Sequence, residues 1–444
     1  MTQNTDFFQH DWLPPDDLQR FLLHNEVHTR PSQRIYVPAL VVNIAVMNNE
    51  VTLEQECEHL CRIPGQKEIN IELLQHNFFR MKLQECTLRW ERHTEFTSYT
   101  LVQHLPENAQ LGATDPDLLS SLALPKNWFS KIPGQTIAAI NLAMVHGDLK
   151  HPEEMLTSAR NWFGKRPIVA SLVGRNSDSL VVTDFKLRES GFERILVILP
   201  SKSSVTRSGR VAQRLLEIET YRIMALRGLP VAKQIDPELA NAEKQLLTIT
   251  TQLEAKAASE QELLDRLISL AARIERTSIE HMYRFSATHA YHKIVAQRIS
   301  ELKEKAIQGT QIIGEFMWRR LSPAITKTEE TAQRMTALSE RISQTGALLR
   351  TQVNIQTETQ NQQLLEKLTH GQELQLRLQR TVEGLSIAAI SYYVVSLLLY
   401  ITKAGKEAGL PIHPELVTGV LIPIVVFSVW YITRRIRNKF FKLD

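Results

Sequence analysis

Two apolar stretches near the end of the chain constrain its structure more than any other feature. Residues 384–401 (GLSIAAISYYVVSLLLYI) and 416–432 (LVTGVLIPIVVFSVWYI) contain no Asp, Glu, Lys or Arg. A helix rises about 1.5 Å per residue, so each stretch covers roughly 27 Å, close to the thickness of a bilayer's hydrocarbon core. The sequence therefore predicts a two-helix transmembrane hairpin over 384–432, with spans at 384–401 and 416–432.

Charge next to the second span indicates the orientation of this hairpin. The segment 433–444 (TRRIRNKFFKLD) carries five Lys and Arg residues directly after the apolar run, as is typical of the cytoplasmic flank of a span. We expect this basic tail to be cytosolic and, because two spans return the chain to the same side, the N-terminus as well. The beginning of the chain lacks the pattern of a signal peptide. The expected location is the bacterial inner (plasma) membrane, with the lipid bilayer as partner.

The first 205 residues predict a cytosolic α/β domain. Between 34 and 199, strand-like runs alternate with turn signals, and residues 81–102 alternate as a hairpin pair with one buried face. The runs IVASLV and ILVILP are continuously apolar, which is typical of strands covered on both faces. Helical segments are expected near 51–62, 68–77 and 153–163.

Residues 206–383 predict a long helical stalk or coiled-coil region. The segment is rich in Leu, Ala, Glu, Gln and Arg and has few β-branched runs. Pro323 is expected to interrupt its helices, and the stretch 325–381 then continues without proline into the first span. The whole chain is thus predicted to be an α+β membrane protein with an N-terminal α/β domain, a stalk and a C-terminal hairpin.

An uncharged polar strip within the stalk is a candidate for function. Residues 351–363 (TQVNIQTETQNQQ) are almost entirely Thr, Asn and Gln, where a solvated helix would normally carry charges. Such oxygens can contact partly hydrated cations without fixing them, so Asn354, Thr357 and Asn361 are candidate pore-lining residues. The alternatives are a solvated stalk or a polar coiled-coil layer, because Asn and Gln also set register in oligomer seams.

Three further groups of residues are candidates for binding. His24, Glu26 and His28 could hold a divalent cation if 24 and 28 share a helix face, although a capping or ion-pair role for Glu26 is the alternative. The group Cys57, His59 and Cys61 could bind zinc or form a half-buried apolar face. The third group is Arg207, Arg210 and Arg214, which open a helix and could bind an anion or partner there, or pair with Glu217 and Glu219.

Composition and motifs favour no enzyme class. Fifty-two Lys and Arg residues against 48 Asp and Glu leave a net charge of +4, interspersed along the chain, so no nucleic-acid partner is expected. The sequence contains no phosphate-binding loop, dinucleotide fingerprint, nucleophile elbow or kinase motif. We therefore expect a protein that is not an enzyme, with no cofactor implied apart from a possible divalent cation.

Four strings of residues resemble a known but uncharacterised family. They are LHNEVHTRP at 23–31, WERHTEF at 90–96, RLLEIETYR at 214–222 and TVEGLS at 381–386. They resemble a family of bacterial membrane-anchored proteins with an LHNEVHxRP signature and a domain of unknown function. The resemblance spans nearly the whole chain, and it implies a membrane anchor but no particular chemistry.

The order of parts is also similar to that of CorA-type cation transporters. In that family an α/β cytosolic domain precedes a long helix, two spans and a basic tail, and a Gly-Met-Asn tripeptide closes the first span. Here the corresponding residues are Tyr400-Ile401-Thr402-Lys403, so this selectivity filter is absent. The likeness implies a homo-oligomeric cation channel or transporter without that filter, because one pair of spans cannot enclose a hydrated pore. The alternative is a membrane-tethered scaffold or sensor whose α/β domain binds a partner or small ligand.

Overall fold

A computed structural model describes residues 17, 20, 33–64, 69–407 and 414–440. The chain forms two compact units. The first contains the described residues up to Ala257 together with Asp265–Gln344, and the second contains Ala258–Leu264 and the residues from Thr345 onward. The helices between 205 and 257 and between 265 and 344 therefore belong with the sheet, whereas the sequence boundary at 205/206 assigns them to the stalk.

An eight-stranded mixed sheet forms the centre of the first unit. Its strands are β1 (Ala39–Met47), β2 (Phe78–Lys82), β3 (Cys86–Arg92), β4 (Phe96–His104), β5 (Gln135–His146), β6 (Val169–Val173), β7 (Ser179–Thr183) and β8 (Glu193–Leu199). Their order is β2-β3-β4-β1-β5-β8-β7-β6. Only β5 and β8 are parallel; the other neighbours are antiparallel.

Eight α-helices are described. They are α1 (Leu53–Cys61), α2 (Lys126–Phe129), α3 (Pro152–Arg160), α4 (Val205–Leu226), α5 (Gly228–Glu254), α6 (Glu260–Leu302), α7 (Ile313–Glu407) and α8 (Pro414–Phe440). Together with the sheet they confirm the predicted α+β class. The hairpin expected within 81–102 is β3 and β4, and the buried runs near 169 and 195 are β6 and β8.

Each face of the sheet has its own apolar core. On the first face, Leu40, Val42 and Leu88 pack with α1, with α3, with Trp128 of α2 and with the turn that carries Trp162. On the second face, Val41 and Leu142 pack under α4 and the beginning of α7. Because strand side chains alternate between faces, odd-numbered residues of β1 meet α4 and even-numbered residues meet α1.

Helix α7 begins at Ile313 and continues through Pro323, although a proline at this position predicts an interruption of the helix. That expectation is wrong because Leu321, Ala324 and Ile325 around the proline are buried. Their packing offsets the lost backbone hydrogen bond. The break lies earlier, between α6 and α7, where Lys305 exchanges two backbone hydrogen bonds with Leu172 of β6 (2.8 and 3.0 Å) and covers the edge of the sheet.

The second unit contains the two helices that could cross a membrane. The best 18-residue windows of α7 and α8 have mean hydropathies of 1.9 and 2.1, and only 6% of the residues in each are buried. By length and composition alone, both helices could span a bilayer. The few buried residues in the predicted spans include Ser391, Thr418 and Val425.

A buried ion pair connects the β3–β4 turn to α6. The two terminal guanidinium nitrogens of Arg284, Nη1 and Nη2, donate to the carboxylate of Glu95 at 2.8 Å, and the Tyr291 hydroxyl donates to the same carboxylate at 2.8 Å. The Glu95 side chain is only 4% exposed and that of Arg284 only 12%. Removing one member therefore leaves a buried charge without its partner.

We expect Arg284→Ala to destabilise the chain by about 3–5 kcal/mol, because Glu95 stays buried without a counter-charge. Tyr291→Phe removes one hydrogen bond to a charged carboxylate and should cost about 1.5–3 kcal/mol. Thermal unfolding of the purified protein measures both. The exposed Arg319→Ala, which breaks only a surface pair with Glu315, is the control. Equal losses in Arg284→Ala and Arg319→Ala would contradict a structural role for the buried pair.

Candidate functional site

The predicted cation site cannot be placed. His24, Glu26 and His28 lie outside the residues that the structure describes. In the described part of the chain, no group of three or more His, Cys, Asp and Glu residues is arranged to hold a metal ion. Binding of a divalent cation at 24–28 thus stays a prediction.

The cysteine-histidine group on α1 points into the core. The Sγ atoms of Cys57 and Cys61 both contact the Ile69 carbonyl oxygen, at 3.2 and 3.7 Å. His59 packs against Trp128 and Tyr99 with ring centroids 4.6 and 5.9 Å away, and burial lowers its pKa to about 4. The imidazole is therefore neutral at pH 7 and acts here as a packed aromatic ring, and burial raises the pKa of the Cys57 thiol.

Two of the three arginines at the beginning of α4 already have carboxylate partners. Arg207 pairs with Asp178 at 2.7 Å, and Arg214 pairs with Glu301 at 3.2 Å, while Arg210 is exposed. The sequence alternative of pairing with Glu217 and Glu219 is not what forms. Glu217 pairs with Arg298, and Glu219 pairs with Arg222. Anion or partner binding by the three arginines stays a prediction.

The three candidate pore-lining residues lie on one exposed face of α7. Asn354, Thr357 and Asn361 are spaced by three and four residues, and all are exposed. The Thr357 hydroxyl donates to the Val353 carbonyl of its own helix at 2.9 Å. Its oxygen lone pairs therefore remain available on this face as acceptors.

The same three-four spacing continues toward the predicted span. We call this ten-residue face the helical seam; it comprises Asn354, Thr357, Asn361, Leu364, Leu368, Gly371, Gln375, Leu378, Val382 and Leu385. Its apolar members are 57–67% exposed. A side-chain Cβ at Gly371 would meet no atom within 4 Å. A heptad face of this kind is typical of a helix that packs against further helices.

A polar cavity lies between the second face of the sheet and α4. Its volume is about 270 Å³. The floor is formed by two rows of side chains that run across the strands. In the first row, Thr100 of β4 lies between Arg89 of β3 and Asn43 of β1. In the second row, Glu91 of β3 lies opposite Ser98 of β4. Directly paired residues share a face, so these side chains are brought together by strand register.

Helix α4 forms the roof of the cavity. Gly209, Ala212, Leu216 and Thr220 recur at helical spacing along the lining, and Arg298 of α6 closes one side. A Cβ at Gly209 would lie 1.5 Å from the Gln33 carbonyl oxygen. Only glycine allows the segment before β1 to pass this close to the helix.

Two buried polar atoms at the floor have no hydrogen-bond partner within the described chain. Asn43 donates from Nδ2 to the hydroxyls of Ser98 and Thr100 at 2.7 and 2.9 Å, but its Oδ1 accepts nothing. Arg89 donates to Glu91 at 2.6 Å, but its Nε is unpaired. Buried polar groups are normally satisfied, so a polar occupant of the cavity would supply partners for these two atoms.

Sequence reasoning missed both the helical seam and the cavity. The heptad spacing of Leu364, Leu368, Leu378 and Val382 was available as a signal. For the cavity, the signal in the sequence was Asn43 within the apolar run ALVVNIAVM, because an amide side chain in a buried strand normally has hydrogen-bond partners. Arg89 and Glu91 could not be connected to Asn43 without the register of the strands.

A second buried cluster contains two carboxylates and one guanidinium. Arg222 donates to Glu219 at 2.7 Å and to Glu193 at 3.0 Å, and Glu219 Oε1 has no partner within the described chain. Burial, and then the neighbouring Glu219, raise the pKa of Glu193 above its ordinary 4.5. One proton is therefore retained on this pair at a pH where an exposed carboxyl has lost it.

Comparison with known proteins returns one match. A family model described as protein of unknown function (DUF3422) matches residues 15–440. Neither the curated proteins nor the solved structures contain a match. The likeness to CorA-type transporters is thus untested by these comparisons.

The Glu193 carboxyl should make stability depend on pH. Its pKa is higher in the folded than in the unfolded chain, so the folded state binds more protons above about pH 4.5, and stability falls as pH rises from there. We expect Glu193→Gln to flatten the fall in melting temperature between about pH 5.5 and 8. The exposed Glu189→Gln is the control. If the melting temperature of Glu193→Gln falls with pH as steeply as that of the wild type, Glu193 is not the group responsible for the pH dependence.

Proposed function

We propose that this chain, which belongs to the DUF3422 family of proteins of unknown function, is a membrane-anchored homo-oligomer of the cation channel or transporter class, assembled along α7. The observation that carries the proposal is the helical seam. It joins polar layers at Asn354, Thr357 and Asn361 to apolar layers at Leu364 and beyond on one exposed face of one helix.

The exposed apolar layers support self-association. Leu364, Leu368 and Leu378 are each more than half exposed on the single chain, and water contact of such side chains is unfavourable by about 1.5–3 kcal/mol each. Copies of α7 that pack seam to seam would bury all of them together. A strict seven-residue repeat on a 3.6-residue helix implies a left-handed supercoil.

The polar layers support a hydrated axis. In a ring of several chains, the amide oxygens of Asn354 and Asn361 and the hydroxyl of Thr357 would surround the axis as uncharged acceptors. Asn361 lies 23 residues before the predicted span, or roughly 35 Å along a helix. The three layers would therefore surround a hydrated cytosolic section of the axis rather than form a filter within the membrane.

The apolar helices support insertion in the bacterial inner membrane. The segments 384–401 and 416–432 would form the hairpin, and the Lys- and Arg-rich tail would hold both termini in the cytosol. Arg434 lies over the Trp430 ring at 5.0 Å. An indole beside a cation at the end of a span is typical of the headgroup region.

A second function, ligand sensing by the first unit, is favoured by the polar cavity under α4. A membrane-tethered scaffold or sensor needs a cytosolic site whose occupancy by a ligand or partner can change. The unpartnered Asn43 and Arg89 atoms are the observation that supports such a site. The two functions are compatible, because a sensor unit can regulate an oligomer to which it is fused.

Self-association is tested by the mass of the full chain in mild detergent, from light scattering corrected for bound detergent. We expect a ring of several chains. Leu378→Glu places a charge in the helical seam and should reduce the mass, whereas Leu376→Glu lies two residues away on the outer face and should not. A wild-type monomer or dimer, or equal effects of both substitutions, would contradict the assembly.

Cation passage is tested with the full chain in liposomes. We expect Asn354→Leu and Asn361→Leu each to lower cation flux several-fold, because an apolar side chain replaces an amide oxygen at the axis. Gln356→Leu and Gln362→Leu lie outside the helical seam and are the matched controls. Flux that is unaffected by the asparagine variants, or equally lowered by the controls, would remove these residues from the pathway.

A further inference from the structure

We propose that the cavity between α4 and the β3–β4–β1 part of the sheet binds a small monocarboxylate that also carries a hydroxyl or amino group. The proposal names the ligand class for the sensing function. It rests on that function only for the effect that ligand binding would have on the rest of the chain.

Arg89 recognises the carboxylate. Its side chain is only 7% exposed and lies over the Phe78 ring at 5.5 Å. Its Nη2 donates to Glu91 at 2.6 Å, and its buried Nε has no hydrogen-bond partner within the described residues. An acceptor on a ligand would satisfy this Nε, and a carboxylate supplies two oxygens in the planar geometry that arginine matches.

Asn43 recognises the donor group. Its Nδ2 donates to Ser98 and Thr100, and its Oδ1 has no partner within the described residues, so Oδ1 is the acceptor that this lining residue has left for a ligand. Asn43 is 2% exposed, and a buried carbonyl without a partner costs about 1–3 kcal/mol. A hydroxyl or ammonium on the ligand would recover that cost.

The charges and size of the cavity exclude a highly charged ligand. Arg89 and Arg298 are balanced by Glu91 and Glu217 in the lining, so a monoanion with its own donor fits better than inorganic phosphate. The apolar part of the lining comprises Ile35, Val41, Phe96 and Leu216. These residues suit an alkyl chain between the two polar ends.

The distance between the two ends indicates the shape of the ligand. Asn43 and Arg89 stand on strands separated by β4, so their backbones are roughly 10 Å apart. The arginine side chain covers part of this distance. The carboxylate and the donor should therefore be separated by several carbons rather than lie on the same carbon.

The first experiment is titration calorimetry on the full chain in mild detergent with matched probes. These are 4-hydroxybutanoate, 5-hydroxypentanoate and 6-hydroxyhexanoate, the alkanoates of equal length, 4-aminobutanoate and inorganic phosphate. We expect one hydroxy or amino acid to bind at least about tenfold more tightly than its alkanoate, because only it satisfies Asn43. Equal affinities, stronger binding of phosphate, or no binding by any probe would overturn the proposal.

Paired asparagine variants then locate the site. Asn141 is also buried with an unpartnered Oδ1, but it lies opposite Val42 and thus on the other face of the sheet. We expect Asn43→Ala to abolish the preference for the hydroxy acid and Asn141→Ala to retain it. Asn43→Ser, which keeps a hydroxyl beside Ser98 and Thr100, gives the same readout if alanine disrupts folding. Equal loss in Asn43→Ala and Asn141→Ala would overturn the assignment.

A last measurement separates the site from the sensing function. Cation flux and oligomer mass are compared with and without the best-binding probe. A change in flux or mass that the probe causes in the wild type but not in Asn43→Ala supports regulation by the cavity. Binding without any effect on flux or mass would contradict only the sensing function, whereas the absence of binding in calorimetry would contradict the site itself.

Discussion

The close packing of α4 on the second face of the sheet is the contact on which the rest of the first unit depends. Gly209 lets the helix touch the chain before β1, and Val211, Leu215 and Ile218 bury its apolar face. Over β3 and β4 the same helix meets Arg89, Glu91 and Ser98 instead of aliphatic side chains. The helix cannot close against this polar part of the sheet, so one packing contact produces both the core and the cavity beside it.

The sequence predicted the local structure better than the tertiary structure. Alternating and continuously apolar runs identified the β3–β4 hairpin and the buried strands β6 and β8, because burial sets these patterns directly. The interruption predicted at Pro323 is wrong, because the packing of Leu321 and Ile325 overrides the tendency of proline to break a helix. The cavity required the register that places Thr100 between Asn43 and Arg89, and composition carries no information about register.

The candidate residues differ in how far the sequence could identify them. Asn354, Thr357 and Asn361 were found because uncharged polar residues are unusual on a solvated helix. Their connection to Leu364 and Leu368 needs a continuous helix, which the proline-free stretch 325–381 already predicts and α7 confirms, so the heptad spacing was readable from the sequence. Glu193 and Glu219 were not identified as a pair, because a strand and a helix far apart in sequence bring them to one arginine.

The position of β1 in the sheet has a consequence for how the chain folds. Hairpins such as β3–β4 and β6–β7 join neighbours in sequence and can form early. Strand β1, by contrast, pairs with β4 and β5, whose residues lie some 50 to 100 positions away. Closing loops of that length precedes any gain from pairing, so insertion of β1 between two preformed parts should limit the folding rate. During synthesis this step can be completed before the two apolar helical segments at 384–401 and 416–432 emerge, which would separate sheet formation from the folding of those segments in time.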